Sequence, residues 1–269
     1  MSIAVVFDSA GTLLHTYRVA KDVRSGELLP GIETVSLTFS STERVLVVIH
    51  VHSRDVIATP GDMLLSSYLV EHQVGFGVSC TRKVLTADDI AHALYHSEYA
   101  TIGDLQDCIR HVWKVCKREA MVAMNSGVIV NMSLPGIEFA VTTGGRPFEA
   151  AREVISDLHR MGIPTYIASG DRVAKLEKIA DFLGIPRDRV FGVATPTVKA
   201  QIVADLQGEY DRVVFVGDGI NDLCALKKAD VAILTEEQSG EKHRDLYQAA
   251  DHVVQNVREV VAIVKKFRD

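Results

Sequence analysis

A doubly wound parallel α/β sheet carrying an inserted α+β domain is the fold class that this 269-residue sequence predicts, on three observations. Two apolar strand signals run straight into carboxylates: Val5, Val6 and Phe7 lead to Asp8, and Val213 to Val216 lead through Gly217 to Asp218, with Asp222 four residues on. From Pro147 onward helical and strand-like stretches alternate with short connections, the pattern of a parallel sheet covered on both faces. Between about His15 and Ala120 the pattern changes to strand-like and helical segments of a different order. The expected division is a core of residues 1–14 and 121–269, with residues 15–120 inserted as a cap.

In the core, Ala151, Val154, Ile155, Leu158 and Met161 recur at helical spacing, so Ala150 to Met161 is expected to be a helix, followed by a strand over Pro164 to Ala168. The alternation continues with helices at Ala174 to Leu183 and Val198 to Leu206, then a strand at Val213 to Val216. A helix at Asn221 to Lys228, a strand at Val231 to Leu234 and a closing helix at Val257 to Phe267 complete it. In the insert, Thr34 to Phe39 and Arg44 to Val51 read as an antiparallel hairpin turning through Ser40 to Glu43. Helices are expected at Met63 to Glu71, Ala87 to His96 and Ile102 to Arg118, the second capped by Thr86 with Asp89 in its acidic first turn. Two short strands, Gly127 to Met132 and Ile137 to Val141, are expected at the return to the core, and Gly144 with Gly145 as a turn before the Pro147 helix.

At 47% hydrophobic content the chain buries a full core. A formal net charge of -6 gives no general attraction for nucleic acid or for anionic membranes, so neither is an expected partner. Apolar stretches such as Val45 to Ile49 fall far short of the about 18 residues that suggest a membrane span. Met1 leads directly into a core strand, which predicts no cleaved signal. Cys80, Cys108, Cys116 and Cys224 lack CxxC spacing and read as reduced thiols. A cytoplasmic protein is the expectation, and nothing in the sequence speaks to oligomeric state.

Carboxylates at the carboxyl ends of parallel strands stand where open α/β sheets keep their active sites. Three of them together repel unless a cation joins them, and hard oxygen donors suit Mg2+. Asp8 precedes the small turn Ser9, Ala10, Gly11 and Thr12, where a carboxylate can act as nucleophile beside backbone amides; a turn-capping Asp is the alternative. Ser169 follows another apolar strand and faces either a phosphate oxygen or its own helix start. Lys199, early in a helix opening after Pro196, has from its position alone the look of a solvated surface charge.

These four pieces, in this order, resemble the haloacid dehalogenase superfamily, and within it the phosphorylation domain of P-type ATPases. DSAGTLL stands beside that domain's DKTGTLT, SGDR beside TGD, TPTVK beside a proline-to-lysine pattern, and GDGINDLCAL beside GDGINDAPAL. The likeness covers Ile3 to Leu14 and Pro147 to Val264. It implies a HAD-like, Rossmann-like core with Asp8 as the nucleophile that becomes an aspartyl phosphate. It further implies Ser169 holding a phosphoryl oxygen and Lys199 neutralising Asp8 and the transferring group. Mg2+ would be ligated by Asp8, Asp218 and the carbonyl of Ala10, with Asp222 acting through water or steadying Lys199. Mg2+ and Lys199 would keep Asp8 ionised.

Ala10 departs from the pattern. Many phosphatases of the superfamily carry there an Asp that protonates the leaving group, which alanine cannot do. Slow turnover, a leaving group that needs little protonation, or an acid from the insert would follow. The insert carries neither the SEHP nor the GxGxxG pattern of metal-transporting members. His50 with His52, alternating on one strand face, and His92 with His96, four apart on a helix, are minor metal or acid-base candidates. The leading expectation is a Mg2+-dependent phosphohydrolase acting on a small phosphorylated metabolite through Asp8. A nucleotide hydrolase or phosphotransferase, a carbon–phosphorus hydrolase using a lysine such as Lys83, and a phosphate-binding regulatory module with little turnover are the alternatives.

Overall fold

The computed structural model describes residues 1–116, 123–133, 136–238 and 242–268. In chain order its elements begin with β1 (Ile3–Phe7), β2 (Leu14–Asp22), β3 (Leu28–Pro30), α1 (Thr34–Phe39), β4 (Arg44–Ile49), α2 (Ser53–Ala58), α3 (Leu65–Glu71) and β5 (Phe76–Thr81). There follow α4 (Ala87–Tyr95), α5 (Ile102–Cys116), β6 (Ala123–Asn131), β7 (Gly136–Pro147), α6 (Ala151–Arg160), β8 (Thr165–Ala168), α7 (Val173–Leu183), β9 (Val190–Phe191) and α8 (Pro196–Gln207). The chain closes with β10 (Arg212–Gly217), α9 (Leu223–Lys228), β11 (Val231–Thr235), α10 (Arg244–Ala249), β12 (His252–Val254) and α11 (Glu259–Lys265). Residues 1–16 with 145–269 form one compact unit and residues 17–144 another.

The first unit is built on a six-stranded sheet of order β12-β11-β10-β1-β8-β9, whose neighbours all pair in parallel. Its central strands are rich in apolar residues because both faces are covered: every residue of β1 and β8 is buried. With β1 between β10 and β8, the ends of three central strands deliver Asp8, Asp218 and Ser169 to one edge of the sheet. Helices α6, α7 and α8 lie within a residue or two of their expected bounds, and α8 starts on the N-cap Thr195, whose hydroxyl accepts from the Val198 N–H, with Pro196 in its first turn. The expected helix over Asn221 to Lys228 is split, its first residues forming a tight turn at Ile220–Asp222 ahead of α9. The fold is thus α/β, with a Rossmann-like parallel sheet and a separate second sheet.

The second unit holds that sheet, of order β3-β2-β7-β6-β4-β5, in which β2–β3, β4–β5 and β4–β6 pair antiparallel. The α3, α4 and α5 helices supply Leu65, Leu69, Ile90, Leu94, Leu105 and Ile109 to its core beside Val45, Val47 and Val128 from the strands. The Thr86–Asp89 capping box that opens α4 is present. Residues 117 and 118, the expected end of α5, lie outside the described residues.

Five expectations are corrected here. Thr34 to Phe39 is helix α1, not a strand: buried Thr34 and Thr38 are one turn apart and the Thr38 hydroxyl donates to the Thr34 carbonyl at 2.7 Å. The strands at Gly127 to Met132 and Ile137 to Val141 do not return to the parallel sheet; as β6 and β7 they belong to the second one, with β6 in register along β4. The compact units accordingly divide at 16/17 and 144/145, not at 14/15 and 120/121. Gly144 and Gly145 lie inside β7, not in a turn, and β4 ends at Ile49, leaving His52 as the N-cap residue of α2 and not on a strand face.

Candidate active site

Asp8 ends β1, its N–H donating to the Val216 carbonyl of β10 at 2.9 Å, so that the strand ladder fixes the carboxylate's position. The next residues curl into a tight turn in which the Ser9 carbonyl accepts from Leu13 and Leu14, at 3.0 and 2.9 Å. Gly11 sits at φ +80, a conformation that penalises side chains, and a Cβ there would collide with the Asp218 carboxylate. Asp8, Ser9 and Thr12 are buried, while Ala10 is the partly exposed member of the turn. The hydroxyls of Ser9 and Thr12 are buried without a hydrogen-bond partner among the described residues.

Lys199 reaches from α8 into this edge of the sheet, donating to Asp8 Oδ1 at 2.5 Å and to Asp222 Oδ1 at 2.6 Å. Its side chain is 1% exposed and those of Asp8 and Asp222 are 3% and 0%. The lysine expected, as a lone charge on a helix, at the surface is buried between two carboxylates. The second oxygen of Asp222 accepts from the N–H groups of Asp218 and Gly219, both at 3.1 Å, and Gly217 permits the approach: a Cβ there would stand 2.7 Å from Asp222 Cγ. Asp222 thus contacts Lys199 directly through one oxygen and the backbone of its own turn through the other.

Asp8, Asp218 and Asp222 each present a carboxylate oxygen within 4.8 Å of the others, and no other group of three such ligands occurs among the described residues. Burial and the neighbouring Asp222 push the Asp8 carboxyl up to about 8 against the opposing pull of Lys199. Burial works to lower the Lys199 ammonium, but Asp8 and Asp222 outweigh it and raise its pKa. Burial likewise raises Asp218, partly offset by Lys242. Three hard carboxylates whose oxygens lie within 4.8 Å of one another are a donor set that fits a small divalent cation.

Ser169 lies one strand over, two residues beyond the Ile167 that pairs with Phe7. It does not cap α7, whose N-cap is Arg172; its hydroxyl accepts from the Asp171 N–H at 3.4 Å, and its backbone ties to Phe191 and Ala194 at 3.0 Å each. The alanine carbonyl of residue 10 sits in the turn beside Asp8, where its next neighbour Gly11 touches Asp218.

Sequence reasoning missed Lys242, which pairs with Asp218 Oδ2 at 2.9 Å. It lies in a run of charged and polar residues between β11 and α10 that carries no motif. Among the described residues neither histidine pair belongs to a group of three potential ligands, and the His92 and His96 rings stack at 4.3 Å, the His96 ring bonding the His92 carbonyl. Lys83 pairs with Glu43 at 2.5 Å. The four cysteines are free, and burial pushes the Cys108 thiol up to about 12, which excludes it as a nucleophile at neutral pH. Among the described residues no helix is long and apolar enough to cross a membrane.

A Rossmann-like sheet whose strand ends gather carboxylates around a buried lysine defines an α/β enzyme with its site at a parallel-sheet edge. The chain belongs to the haloacid dehalogenase-like hydrolase family, whose model matches residues 4–230. It is 28% identical over 267 residues to the soluble P-type ATPase-like phosphatase of Methanocaldococcus jannaschii, covering 99% of this chain and 94% of that protein. A copper-exporting P-type ATPase of Staphylococcus aureus is 38% identical over 106 residues, which is 39% of this chain and 13% of the transporter. Among solved structures, a phosphoserine phosphohydrolase-like protein from Francisella tularensis superposes with a TM-score of 0.45 at 14% identity, over 98% of this chain and 100% of that one.

Proposed function

We propose that the chain is a Mg2+-dependent phosphatase that acts on a small phosphorylated metabolite through an aspartyl phosphate at Asp8. The observation that carries this reading is the buried Asp8–Lys199–Asp222 arrangement with Asp218 beside it. Family membership and the name of the archaeal relative support phosphatase chemistry.

In this reading Asp8 attacks phosphorus, the bond to the leaving oxygen breaks, and water then cleaves the aspartyl phosphate to release phosphate and restore Asp8. Lys199 keeps Asp8 in place and balances charge on the transferring group, while Asp222 fixes Lys199. Ser169, at the neighbouring strand end, would donate its hydroxyl to a phosphoryl oxygen. Asp8, Asp218 and the Ala10 carbonyl would hold Mg2+, with Asp222 nearby. Bound there, the cation supplies charge neutralisation and an orienting template for the phosphoryl group. Ala10 provides no proton, so leaving groups that depart without protonation are favoured.

A panel of phosphoesters, including nucleotides, assayed with and without Mg2+ tests the reading. Phosphate release should require Mg2+ and should fall by about a thousandfold or more in Asp8→Asn. Ala10→Asp, at the partly exposed position of the turn, should speed hydrolysis of esters with poor leaving groups. Activity that survives Asp8→Asn would overturn the covalent role, and silence across the panel would favour a phosphate-binding module. The stretch similar to the copper exporter favours a second reading, nucleotide hydrolysis, which a panel response confined to nucleotides would select.

A further inference from the structure

Gln238 and Lys242 are each fastened by hydrogen bonds. Upstream, the Gln238 amide pairs with the backbone of Thr16, accepting from its N–H at 2.8 Å and donating to its carbonyl at 3.1 Å. At Lys242 itself the backbone N–H donates to the Tyr247 hydroxyl of α10 at 3.1 Å, and that hydroxyl donates to Glu236. From this anchored backbone the side chain runs inward until it is only 8% exposed and its ammonium meets Asp218 Oδ2 at 2.9 Å. A buried ammonium needs a carboxylate to offset its lost hydration, so the pairing holds the whole side chain in place.

The oxygen involved matters. Asp218 packs against Gly11, and of its two carboxylate oxygens Oδ2 lies nearer to where a Gly11 Cβ would stand. Oδ2 therefore lies against the turn that follows Asp8. Lys242 holds that same oxygen.

We propose that Lys242 is a tethered counter-ion for Asp218 which a divalent cation must displace, so that the chain lowers its own metal affinity and sets the concentration at which the cluster fills. The inference rests on reading the three carboxylates as a metal site. Two positive charges competing for one carboxylate oxygen are linked thermodynamically: whatever free energy the lysine contributes to the pair is subtracted from metal binding.

Mn2+ binding, followed by the electron paramagnetic resonance of the free ion with no substrate present, tests this directly. Lys242→Gln and Lys242→Ala should each tighten the Mn2+ dissociation constant by about fivefold or more, the lower range of coupling between linked sites. Lys242→Arg, which keeps the charge, should stay close to the wild-type value, and Asp218→Asn should weaken binding in every background. A dissociation constant in both neutral variants equal to or weaker than wild type would overturn the counter-ion role while leaving the metal site intact. Failure of wild type and variants alike to bind Mn2+ would overturn the metal reading and this inference with it.

Discussion

Each unit of the chain sets one lysine between two aspartates. In the parallel-sheet unit Lys199 lies between Asp8 and Asp222, with exposures of 1%, 3% and 0%. In the antiparallel unit Lys21 bonds Asp104 at 2.9 Å and Asp107 at 2.7 Å, with 15%, 11% and 47% exposed. The residue types match, yet the consequences differ. Around Lys199 desolvation dominates and drives Asp8 up to about 8. Around Lys21 water screens the charges, and Asp104 already accepts from the Thr101 N–H and hydroxyl at 2.9 Å each at the start of α5. The perturbed carboxyl of Asp8 comes from the loss of water at a sheet edge, where strand ends force like charges together, and not from the triad as a set of residues.

The largest effect should come from breaking the buried triad. Lys199→Met leaves two carboxylates facing each other out of water and should cost about 3–5 kcal/mol of unfolding free energy, measured by urea denaturation, on top of its effect on activity. A loss below about 1 kcal/mol, the usual worth of an exposed pair, would mean that the lysine is not buried between them.

An intermediate case lies in the antiparallel unit, where Arg44 grips Glu138 through two bonds of 2.8 and 2.5 Å and Asn131 adds a third at 3.0 Å. The Arg44 hydrogen bonds hold the Glu138 carboxyl below its ordinary 4.5, outweighing burial. A depressed carboxylate stabilises the fold above its unfolded pKa, and that stabilisation is lost as pH falls through the folded value. Glu138→Gln should cost about 2 kcal/mol at neutral pH. It should also flatten the decline in stability that wild type shows below about pH 4.5, the ordinary carboxyl value. A variant with the same acid slope as wild type would remove Glu138 as its source.

The contrast between the units also marks what the sequence could disclose. Strands of the parallel sheet are covered on both faces and appear as apolar runs, so β1, β8, β10 and β11 are found to within a residue or two. Strands of the second sheet carry polar residues among the apolar ones: Tyr17, Arg18 and Lys21 interrupt β2, and it goes unseen. Alternating Val35, Leu37 and Phe39 imitate a strand in α1, where the Thr34–Thr38 pair on the buried face is the true signal. Lys199 shares the buried face of α8 with Ile202, Val203 and Leu206, yet a lone lysine on a helix reads as a surface charge; the order of the motifs around it is what points inward. Lys242 has no such neighbourhood, since a lysine in a polar loop looks the same whether its ammonium meets water or Asp218.

The smallest effect is expected at the less buried triad, where Asp107 is 47% exposed, and it decides the comparison. Lys21→Met removes the same charge from the same kind of partners as the change at Lys199. Its carboxylates do not depend on it, because Asp107 is half exposed and Asp104 keeps its two bonds from Thr101. A loss of about 1 kcal/mol or less is expected, shrinking further as salt is added, since exposed pairs are screened. If Lys21→Met instead cost as much as Lys199→Met at the same salt, burial would not be what separates the two triads. The distinctive chemistry of Asp8 would then have to come from the turn that follows it, where the buried Ser9 and Thr12 hydroxyls lack partners among the described residues.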